Sequence, residues 1–511
     1  MPATLKIIPN KYRDSVSLMQ ISAKISALGG IQQASLVMAT QGNLALLREA
    51  GLLGGEIDAS PSDLLVVVQG DTDAAVQAAL EESERALSGT TQAVGPSRVQ
   101  LIAPRTIQMG LETQSDATLA LISTPGEYAA AEALKALRLG LNVMLFSDNV
   151  SIEDELMLKR EADRAGLLVM GPDCGTAIVD GIPLAFANAV RRGPIGVIGA
   201  SGTGIQQVTS LIDQAGLGVS HALGTGGRDL KSEIGGATML RAIDELAADS
   251  DTRIIVLVSK PPGHEVAERV LLRARKAGKP VIACFLGADA RDIEGGNVVA
   301  AGTLDEAAAI AVALAEGKTG VGAVPMPHVA AQAFSPGQRF VRGLFSGGTF
   351  CYEATLLLSG ILSDVYSNTP VGRAAVLEDV WQSRGNTLID LGDDEFTRGR
   401  PHPMIDQRLR NERIVREAAD PEVALILLDV VLGYGAHPDP AAEMLPAIRD
   451  AYALAERDGR QIAFVGFVCG TERDPQGLVK QEAALREAGV VLTSSNAQAA
   501  RAAATLVSQH G

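Results

Sequence analysis

The sequence of 511 residues is poor in cysteine and in aromatic residues, and it has no run of basic residues. Its four cysteines lie far apart, in no Cys-x-x-Cys or Cys/His ligand spacing, so we expect neither a disulfide framework nor a metal site. Aromatic residues make up 3% of the chain, which argues against an aromatic-rich binding surface. A net charge of −16 without a Lys/Arg run argues against nucleic acids and anionic membranes as partners.

Long apolar runs are also missing. No run reaches the ~20 residues that a membrane-spanning helix needs, and the N-terminus lacks the basic and apolar segments of a signal peptide. We therefore expect a soluble, cytoplasmic protein. The hydrophobic content of 47% and the 54 glycines are typical of a compact α/β enzyme, and the length indicates about three or four domains.

The most informative stretch is a glycine-rich turn within Pro194–Val208. The apolar run Ile195–Ile198 predicts a buried parallel strand, and a helix follows. Unpaired N–H groups and the positive end of a helix dipole meet at such a turn, and glycine lets the backbone approach an anion closely. A tight connection without a ligand is the alternative. The predicted phosphate- or carboxylate-binding residues are Ser201, Gly202, Thr203 and Gly204.

Strand and helix patterns predict an α/β fold of four domains with linkers near 88–97 and 317–336. The domains span 1–95, 98–190, 194–317 and 338–508. The first is a small α/β domain, and the others have the alternation of doubly wound parallel sheets. The second has no G-x-G-x-x-G fingerprint, which disfavours NAD. Its ligand, a mononucleotide-like group, would bind at the carboxyl ends of its strands, and the candidate contacts there are Ser123, Pro125, Ser147, Asn149, Pro172 and Asp173.

The last two domains repeat one plan. The corresponding segments are 195–203 with 342–349, 251–258 with 420–431, and 281–287 with 461–470. A pseudo-twofold relation between the copies would let the two glycine-rich turns face a shared cleft. The predicted anion-binding residues therefore extend to other glycine-rich turns, at Gly235, Gly236, Ser346, Gly347, Gly348 and Gly435.

A polar segment at 390–406 follows a predicted strand, and we interpret it as a functional loop; the alternative is a solvated loop stiffened by prolines. Arg398 and Arg400 are candidates to hold a carboxylate or phosphate through paired hydrogen bonds. His402 and His437 are candidates for catalysis, or for hydrogen-bond donors alone. Lys260 ends another predicted strand and is a further candidate ligand contact.

Three segments resemble the α subunit of succinyl-CoA synthetase: Met170–Gly175, Ile195–Thr203 and Gly224–Gly236 are similar to IGPNCPG, VGIVSRSGT and GIGGDP. Three later segments resemble the CoA-ligase domain of its β subunit: Leu344–Gly348, Leu388–Gly392 and Val431–Gly435 are similar to VNGAG, FLDVGG and IFGGI. A chain that fuses both, with an N-terminal unit carrying Asp14–Met19, resembles the FdrA family of acyl-CoA-synthetase-like proteins. Leu145–Val150, Asp393–Asp394 and Pro401–Asp406 also resemble that family.

The resemblance implies a CoA-binding-type domain at 98–190, with CoA at the strand-end contacts named above, and ligase-type domains at 194–317 and 338–508. Two features of the synthetase are missing from this chain. The segment 287–303 has no histidine where the synthetase carries its phosphohistidine, and no segment resembles an ATP-grasp domain. The resemblance therefore implies that this chain alone does not phosphorylate itself from ATP.

FdrA relatives are associated with oxamate carbamoyltransferase in ureide catabolism, together with partner subunits. The resemblance thus implies an AllF-like transferase subunit that acts on carbamoyl phosphate and oxamate in a hetero-oligomer. The first alternative is an acyl-CoA synthetase subunit of the succinyl-CoA ligase type, with CoA bound in the second domain and a nucleotide domain on another chain. The second alternative is a non-catalytic scaffold.

Overall fold

The computed structural model describes residues 2–54, 57–89, 104–318, 332–398 and 400–508. Most of both predicted linkers lies outside these residues. The α/β fold class is confirmed, with two large parallel-sheet domains and two smaller units. Among the described residues, no helix has the length and apolar character needed to cross a bilayer.

The N-terminal domain is a three-stranded antiparallel sheet in the order β1-β3-β2 with three helices. Asp14 caps the first helix because its Oδ1 accepts a hydrogen bond from Ser17 N–H at 2.9 Å. The elements are β1 (Ala3–Ile8), α1 (Ser15–Ser26), β2 (Ile31–Met38), α2 (Gln41–Glu49), β3 (Leu64–Gly70) and α3 (Asp73–Gly89).

The second domain has a short parallel sheet in the order β4-β5-β6. Ser151 caps its third helix as the sequence predicts, accepting a hydrogen bond from Asp154 N–H at 3.0 Å. The elements are α4 (Ile107–Thr113), β4 (Leu119–Ile122), α5 (Gly126–Arg138), β5 (Asn142–Leu145), α6 (Ile152–Ala165) and β6 (Val169–Met170).

The predicted end of the second domain at residue 190 is wrong. The hairpin formed by β7 (Thr176–Val179) and β8 (Ile182–Ala185) belongs to the sheet of the third domain, because Ile178 pairs with Ala222 of that sheet. The hairpin strands are antiparallel, so they need no crossover helix and continue an existing sheet edge.

The third domain has a seven-stranded sheet in the order β13-β12-β11-β9-β10-β7-β8. Its remaining elements are β9 (Arg192–Gly199), α7 (Gly202–Gln214), β10 (Val219–Gly224), α8 (Ala237–Ala248), β11 (Ile254–Ser259), α9 (His264–Arg275), β12 (Val281–Phe285), α10 (Ala290–Ile293), β13 (Val298–Ala300) and α11 (Leu304–Ala315).

The fourth domain has a seven-stranded parallel sheet in the order β16-β15-β17-β14-β18-β19-β20. Its elements are β14 (Phe340–Phe345), α12 (Gly348–Ser359), β15 (Val365–Ser367), β16 (Ala375–Val376), β17 (Asn386–Asp390), α13 (Asp394–Thr397), α14 (Arg408–Ala418), β18 (Val423–Val431), α15 (Pro440–Arg457), β19 (Ala463–Cys469), α16 (Leu478–Glu487), β20 (Val491–Thr493) and α17 (Asn496–Ser508).

The predicted internal repeat is confirmed by strand order. The series β13-β12-β11-β9-β10 corresponds to β20-β19-β18-β14-β17, with β9 and β14 in equivalent positions. The two domains also share one hydrophobic core, in which Ile205 and Val208 of α7 are buried together with Phe350 and Ala354 of α12. Burial of this common apolar surface stabilises the face-to-face arrangement of the copies.

Candidate functional site

The first turns of helices α7 and α12 meet at the interface between the two repeated domains. Ser201 Oγ lies 2.5 Å from Thr349 Oγ1. A methyl group at Gly347 would lie 3.0 Å from Thr203 Cγ2. Ser201 and Gly347 are the capping residues of the two helices, and each threonine follows its cap by two positions. The contact is therefore reciprocal, as across a twofold axis, and the prediction that the two turns face each other is confirmed.

Several N–H groups at these helix starts are unpaired. Ser201 Oγ accepts a hydrogen bond from Gly204 N–H at 2.9 Å. Within the described ranges, the N–H groups of Gly202, Thr203, Gly348 and Thr349 donate no hydrogen bond. The positive ends of two helix dipoles and four unpaired donors thus converge from both domains, an arrangement suited to an anion.

The N–H groups of Ser346 and Gly347 are engaged within the chain. Asp429 accepts hydrogen bonds from both, each at 2.8 Å, and from Ser346 Oγ at 2.9 Å. Asp429 is fully buried, and Arg410 Nη1 lies 2.7 Å from its Oδ1. Because Asp429 already accepts hydrogen bonds from the N–H groups of Ser346 and Gly347, these groups are not open to an external anion in this structure. The anion-binding role of the two residues stays a prediction.

Backbone N–H groups at the start of helix α8, beside Gly235 and Gly236, are also engaged within the chain. Asp229 accepts hydrogen bonds from Thr238 N–H at 3.0 Å and from Met239 N–H at 2.9 Å. The N–H of Gly236 donates to the carbonyl oxygen of Asp229 at 2.7 Å. An internal carboxylate thus occupies this helix N-terminus, and the predicted anion-binding role of the two glycines stays a prediction.

Asp390 lies at the end of β17 and reaches the start of α12. Its Oδ1 accepts a hydrogen bond from Gly392 N–H at 2.9 Å, and a methyl group at Gly348 would lie 2.5 Å from its Oδ2. Desolvation raises the pKa of Asp390 to about 6, although the positive charge of Lys260 opposes the shift. Asp390 is not among the site residues predicted from the sequence; its position at a strand end, two residues before Gly392, was the available signal.

Lys260 follows β11 directly and reaches the first turns of α12. Its Nζ lies 5.2 Å from the ring centroid of Tyr352, a cation–π distance. The same ammonium group acts electrostatically on Asp390. The structure therefore places Lys260, a predicted contact residue, beside the paired helix starts. Its ammonium group, on a flexible side chain, is available for an anion.

His402 lies between the turns that follow β14 and β17. Its Nδ1 accepts a hydrogen bond from Met404 N–H at 3.2 Å. On the other side of the ring, a methyl group at Gly392 would lie 2.7 Å from Nε2 and 3.1 Å from the carbonyl oxygen of Ser346. Desolvation lowers the pKa of His402 to about 4, so the imidazole is neutral at pH 7.

His437 lies against the His402 loop. Its backbone N–H donates to the carbonyl oxygen of Met404 at 2.8 Å. Its Nδ1 accepts a hydrogen bond from Asp439 N–H at 3.1 Å. The structure therefore brings together two candidate catalytic histidines from distant segments of the sequence.

The two arginines of the polar segment 390–406 lie away from the paired helix starts. Arg398 is exposed, and its Nη1 lies 3.7 Å from Glu49 Oε2 of the N-terminal domain. Arg400 is also exposed, and its backbone N–H donates to the carbonyl oxygen of Thr397 at 3.0 Å. No contact in the described part of the chain joins either guanidinium to the helix starts, so their substrate-binding role stays a prediction.

Gly435 lines a separate cavity of ≈300 Å³ at the junction of the domains. A methyl group at Gly435 would lie 2.8 Å from the ring of Phe186, which stacks on Phe146 with centroids 6.0 Å apart. Ser123, predicted as a ligand contact of the second domain, lines the same cavity. The lining residues are Asp14, Val16, Gln20, Leu121, Ser123, Phe146, Ala185, Phe186 and Gly435.

The strand ends of the second domain meet at one edge, as predicted. Ser147 Oγ donates to the carbonyl oxygen of Thr124 at 2.5 Å, and Asp173 N–H donates to the carbonyl oxygen of Ser147 at 3.0 Å. Pro125, Asn149 and Pro172 belong to the same three loops: Pro125 precedes α5, Asn149 has a φ of 53°, and Pro172 follows a cis peptide bond. The loops therefore pack on one another rather than forming an open cradle.

This edge is acidic and does not fit the diphosphate of CoA. Desolvation and the nearby charges of Asp148 and Asp394 raise the pKa of Asp173 to about 6, while Arg228 opposes the shift. Desolvation also raises the pKa of Asp148. Two phosphate groups at this edge would face three carboxyl groups, and like charges disfavour such binding.

Three family descriptions match the sequence. "AllF, heavy metal-associated domain" matches residues 1–100, "CoA binding domain" matches 190–287 and "CoA-ligase" matches 344–506. The CoA-binding match thus lies on the third domain, and the CoA-binding type of domain 98–190 stays a prediction. Residues 1–100 contain neither Cys nor His, so they lack the thiolate and imidazole ligands that commonly hold a heavy metal. Within the described residues, no group of three His, Cys, Asp or Glu side chains could hold a metal ion.

Relatives cover the chain to different extents. The succinate–CoA ligase [ADP-forming] subunit alpha-2 of Trichomonas vaginalis is 29% identical over 35% of this chain, and the match spans 59% of that protein. A solved dinucleotide-forming acetyl-coenzyme A synthetase 1 of Ca. Korarchaeum cryptofilum is 15% identical, covering 82% of this chain and 88% of that chain with a TM-score of 0.33. The protein YahF of Escherichia coli K12 is 44% identical over 97% of both chains. The chain therefore belongs to the FdrA family of acyl-CoA-synthetase-like proteins, together with YahF.

Proposed function

We propose that this chain is a subunit of a cytoplasmic carbamoyl-transferring enzyme of the oxamate carbamoyltransferase type, acting with partner subunits in ureide and purine nitrogen catabolism. The enzyme would interconvert carbamoyl phosphate and oxamate with oxalurate and phosphate. The observation that carries the proposal is the meeting of two helix starts at Ser201 and Thr349. Two converging positive dipole ends suit a phosphate dianion.

Three further observations support a reaction without ATP or CoA. The segment 287–303 has no histidine to carry phosphate. The strand ends of the second domain bear carboxyl groups at Asp148 and Asp173, which disfavour a diphosphate. The match of residues 1–100 to an AllF domain favours this function over a general acyl-CoA ligase.

The chemistry can be assigned to side chains of the site. The amide nitrogen of oxamate attacks the carbamoyl carbon, a C–N bond forms, and the C–O bond to phosphate breaks with the electron pair leaving on phosphate. The nitrogen loses one proton to Asp390, whose pKa of about 6 suits a base near neutral pH, and the proton then passes to phosphate. Lys260 and the N–H groups of α7 and α12 hold the phosphate group.

The test uses the chain in complex with its co-expressed partner subunits. The complex is incubated with carbamoyl phosphate and oxamate, and oxalurate is measured by mass spectrometry together with released phosphate. Lys260→Met should lower kcat/KM by about 100-fold, whereas Lys276→Met, at an exposed lysine of the same domain, should leave it unchanged. Absence of oxalurate with the unmodified complex would overturn the proposal.

The second candidate is an acyl-CoA synthetase subunit, favoured by the CoA-ligase and CoA-binding matches. It predicts formation of acyl-CoA from a carboxylate, CoA and a nucleoside triphosphate. Calorimetric titration separates the two: CoA binding at micromolar affinity supports the synthetase, and carbamoyl phosphate binding without CoA supports the transferase. A pure scaffold would bind neither and would tolerate every substitution at the helix starts without loss of turnover.

A further inference from the structure

The two histidines at the site occupy the same local turn. His402–Met404 and His437–Asp439 both read His-Pro-X. In each, Nδ1 of the histidine accepts a hydrogen bond from the N–H of the third residue, at 3.2 Å and 3.1 Å. Proline has no N–H group, so the third residue supplies the first backbone donor that can reach the ring.

This contact determines which ring nitrogen carries the proton. A backbone N–H can only donate, so Nδ1 must present a lone pair. A neutral imidazole has a single N–H, which therefore lies on Nε2. Because desolvation lowers the pKa of His402 to about 4, its ring stays neutral across the physiological range. Nε2 of His402 is consequently a donor, with no lone pair to take a proton or a phosphoryl group.

The donor lies at the candidate site. His402 Nε2, the carbonyl oxygen of Ser346 and Asp390 Oδ1 surround Gly392. A methyl group built on Gly392 would lie 2.7, 3.1 and 3.2 Å from these three atoms, respectively. No group in the described part of the chain accepts a hydrogen bond from Nε2. The donor is therefore available to a ligand held between Asp390 and the start of α12.

We propose that His402 is a catalytic residue that acts as a neutral hydrogen-bond donor, giving Nε2–H to the carbonyl oxygen on which negative charge develops. The identity of that oxygen, the carbamoyl oxygen, rests on the proposed function. When the nucleophile adds, the electron pair of the C=O bond moves onto this oxygen, and Nε2–H stabilises it without transferring its proton. The pair returns when phosphate leaves. His402 is neither the base nor a carrier of phosphate.

The first test measures the tautomer directly and does not depend on the reaction. The full chain is labelled with ¹⁵N-histidine, and ring signals are assigned by comparison with His402→Gln. We expect a proton on Nε2 of His402 and no titration between pH 5 and 8. A proton on Nδ1, or a titration in that range, would overturn the inference even if the complex transfers carbamoyl groups.

The second test separates a donor from a base. In the complex with partner subunits, His402→Leu removes the donor and should lower kcat by about 100-fold with little change in KM. His402→Gln keeps an N–H donor and should retain kcat within about tenfold of the unmodified complex. His264→Gln, at an exposed histidine, is the control, and unfolding temperatures confirm folding. Equal inactivity of the two folded His402 variants, or ³²P from carbamoyl phosphate trapped on His402, would contradict the role.

Discussion

Ser201 Oγ and Thr349 Oγ1 lie 2.5 Å apart although 148 positions separate them in the chain. One hydroxyl belongs to the cap of α7 and the other to the first turn of α12. Because both residues are buried, this hydrogen bond fixes how closely the two helix starts approach. It therefore sets the geometry of the donors that converge on the candidate site.

The first prediction concerns this pair. Thr349→Val should lower the free energy of unfolding by about 1–3 kcal/mol, because it leaves the buried hydroxyl of Ser201 with one partner fewer. The double variant that adds Ser201→Ala should lose less free energy of unfolding than the two single variants lose in sum. Urea unfolding of the four proteins measures the coupling, with Thr505→Val, whose hydroxyl bonds within its own helix, as control. Strictly additive effects would show that the hydroxyls do not interact.

The second prediction concerns the space at the start of α12. Gly348→Ala adds a methyl group 2.5 Å from Asp390 Oδ2, so we expect weaker phosphate binding and a loss of about 1–3 kcal/mol in stability. Gly360→Ala, just after the same helix, meets its nearest atom at 3.4 Å and should be close to neutral. Calorimetric titration with inorganic phosphate and thermal unfolding give both quantities. Equal behaviour of the two variants would contradict the close packing.

The third prediction concerns the buried pair of Arg410 and Asp429, which are both fully buried. Arg410→Met should lower the free energy of unfolding by about 3–5 kcal/mol, because it leaves the carboxylate of Asp429 buried without its cation. Adding Asp429→Asn should restore part of the stability. Arg473→Met, at an exposed arginine 3.8 Å from Asp213, should change stability by less than about 1 kcal/mol. Urea unfolding is the measurement, and a small effect of Arg410→Met would mean that the Ser346 turn alone satisfies Asp429.

The fourth prediction concerns pH. The pKa of Asp390 is about 6 in the folded chain against 3.8 for an unperturbed group, so between these values the folded state binds more protons than the unfolded state. Stability contributed by this carboxyl is therefore present at low pH and is lost as pH rises through 6. Asp390→Asn keeps the acceptor for Gly392 N–H and removes the charge, so it should be more stable than the unmodified chain above pH 6, by about 1–3 kcal/mol.

Unfolding temperatures recorded from pH 4 to 8 check this prediction. The difference between variant and unmodified chain isolates Asp390 from other buried carboxyl groups such as Glu353, whose pKa is raised to about 7 by burial. Glu395→Gln, which also removes one carboxylate but at an exposed position nearby, is the control for the change in net charge. A flat difference for Asp390→Asn would show that this carboxyl has an ordinary pKa.

Strands, helix caps and the internal repeat could be predicted because they depend on neighbours in the chain. The apolar run Ile254–Val258 and the cap at Ser151 follow from local composition, and both are found in the structure. The sheet that the hairpin Thr176–Ala185 joins could not be predicted, because its pairing partner at Ala222 lies far along the sequence. Its residues show that strands form there but not which sheet they join.

The family, the α/β class, the paired glycine-rich turns and both His-Pro motifs follow from the sequence alone, since each is a short-range pattern. Which backbone donors remain open depends on the way the domains pack. Asp429 and the backbone carbonyl of Asp229 accept hydrogen bonds from the N–H groups of Ser346 and Gly236, two residues predicted to bind an anion, and Asp390 reaches α12 from another strand. A backbone donor is satisfied by whichever acceptor the fold brings within about 3 Å, and separation along the chain does not reveal that distance.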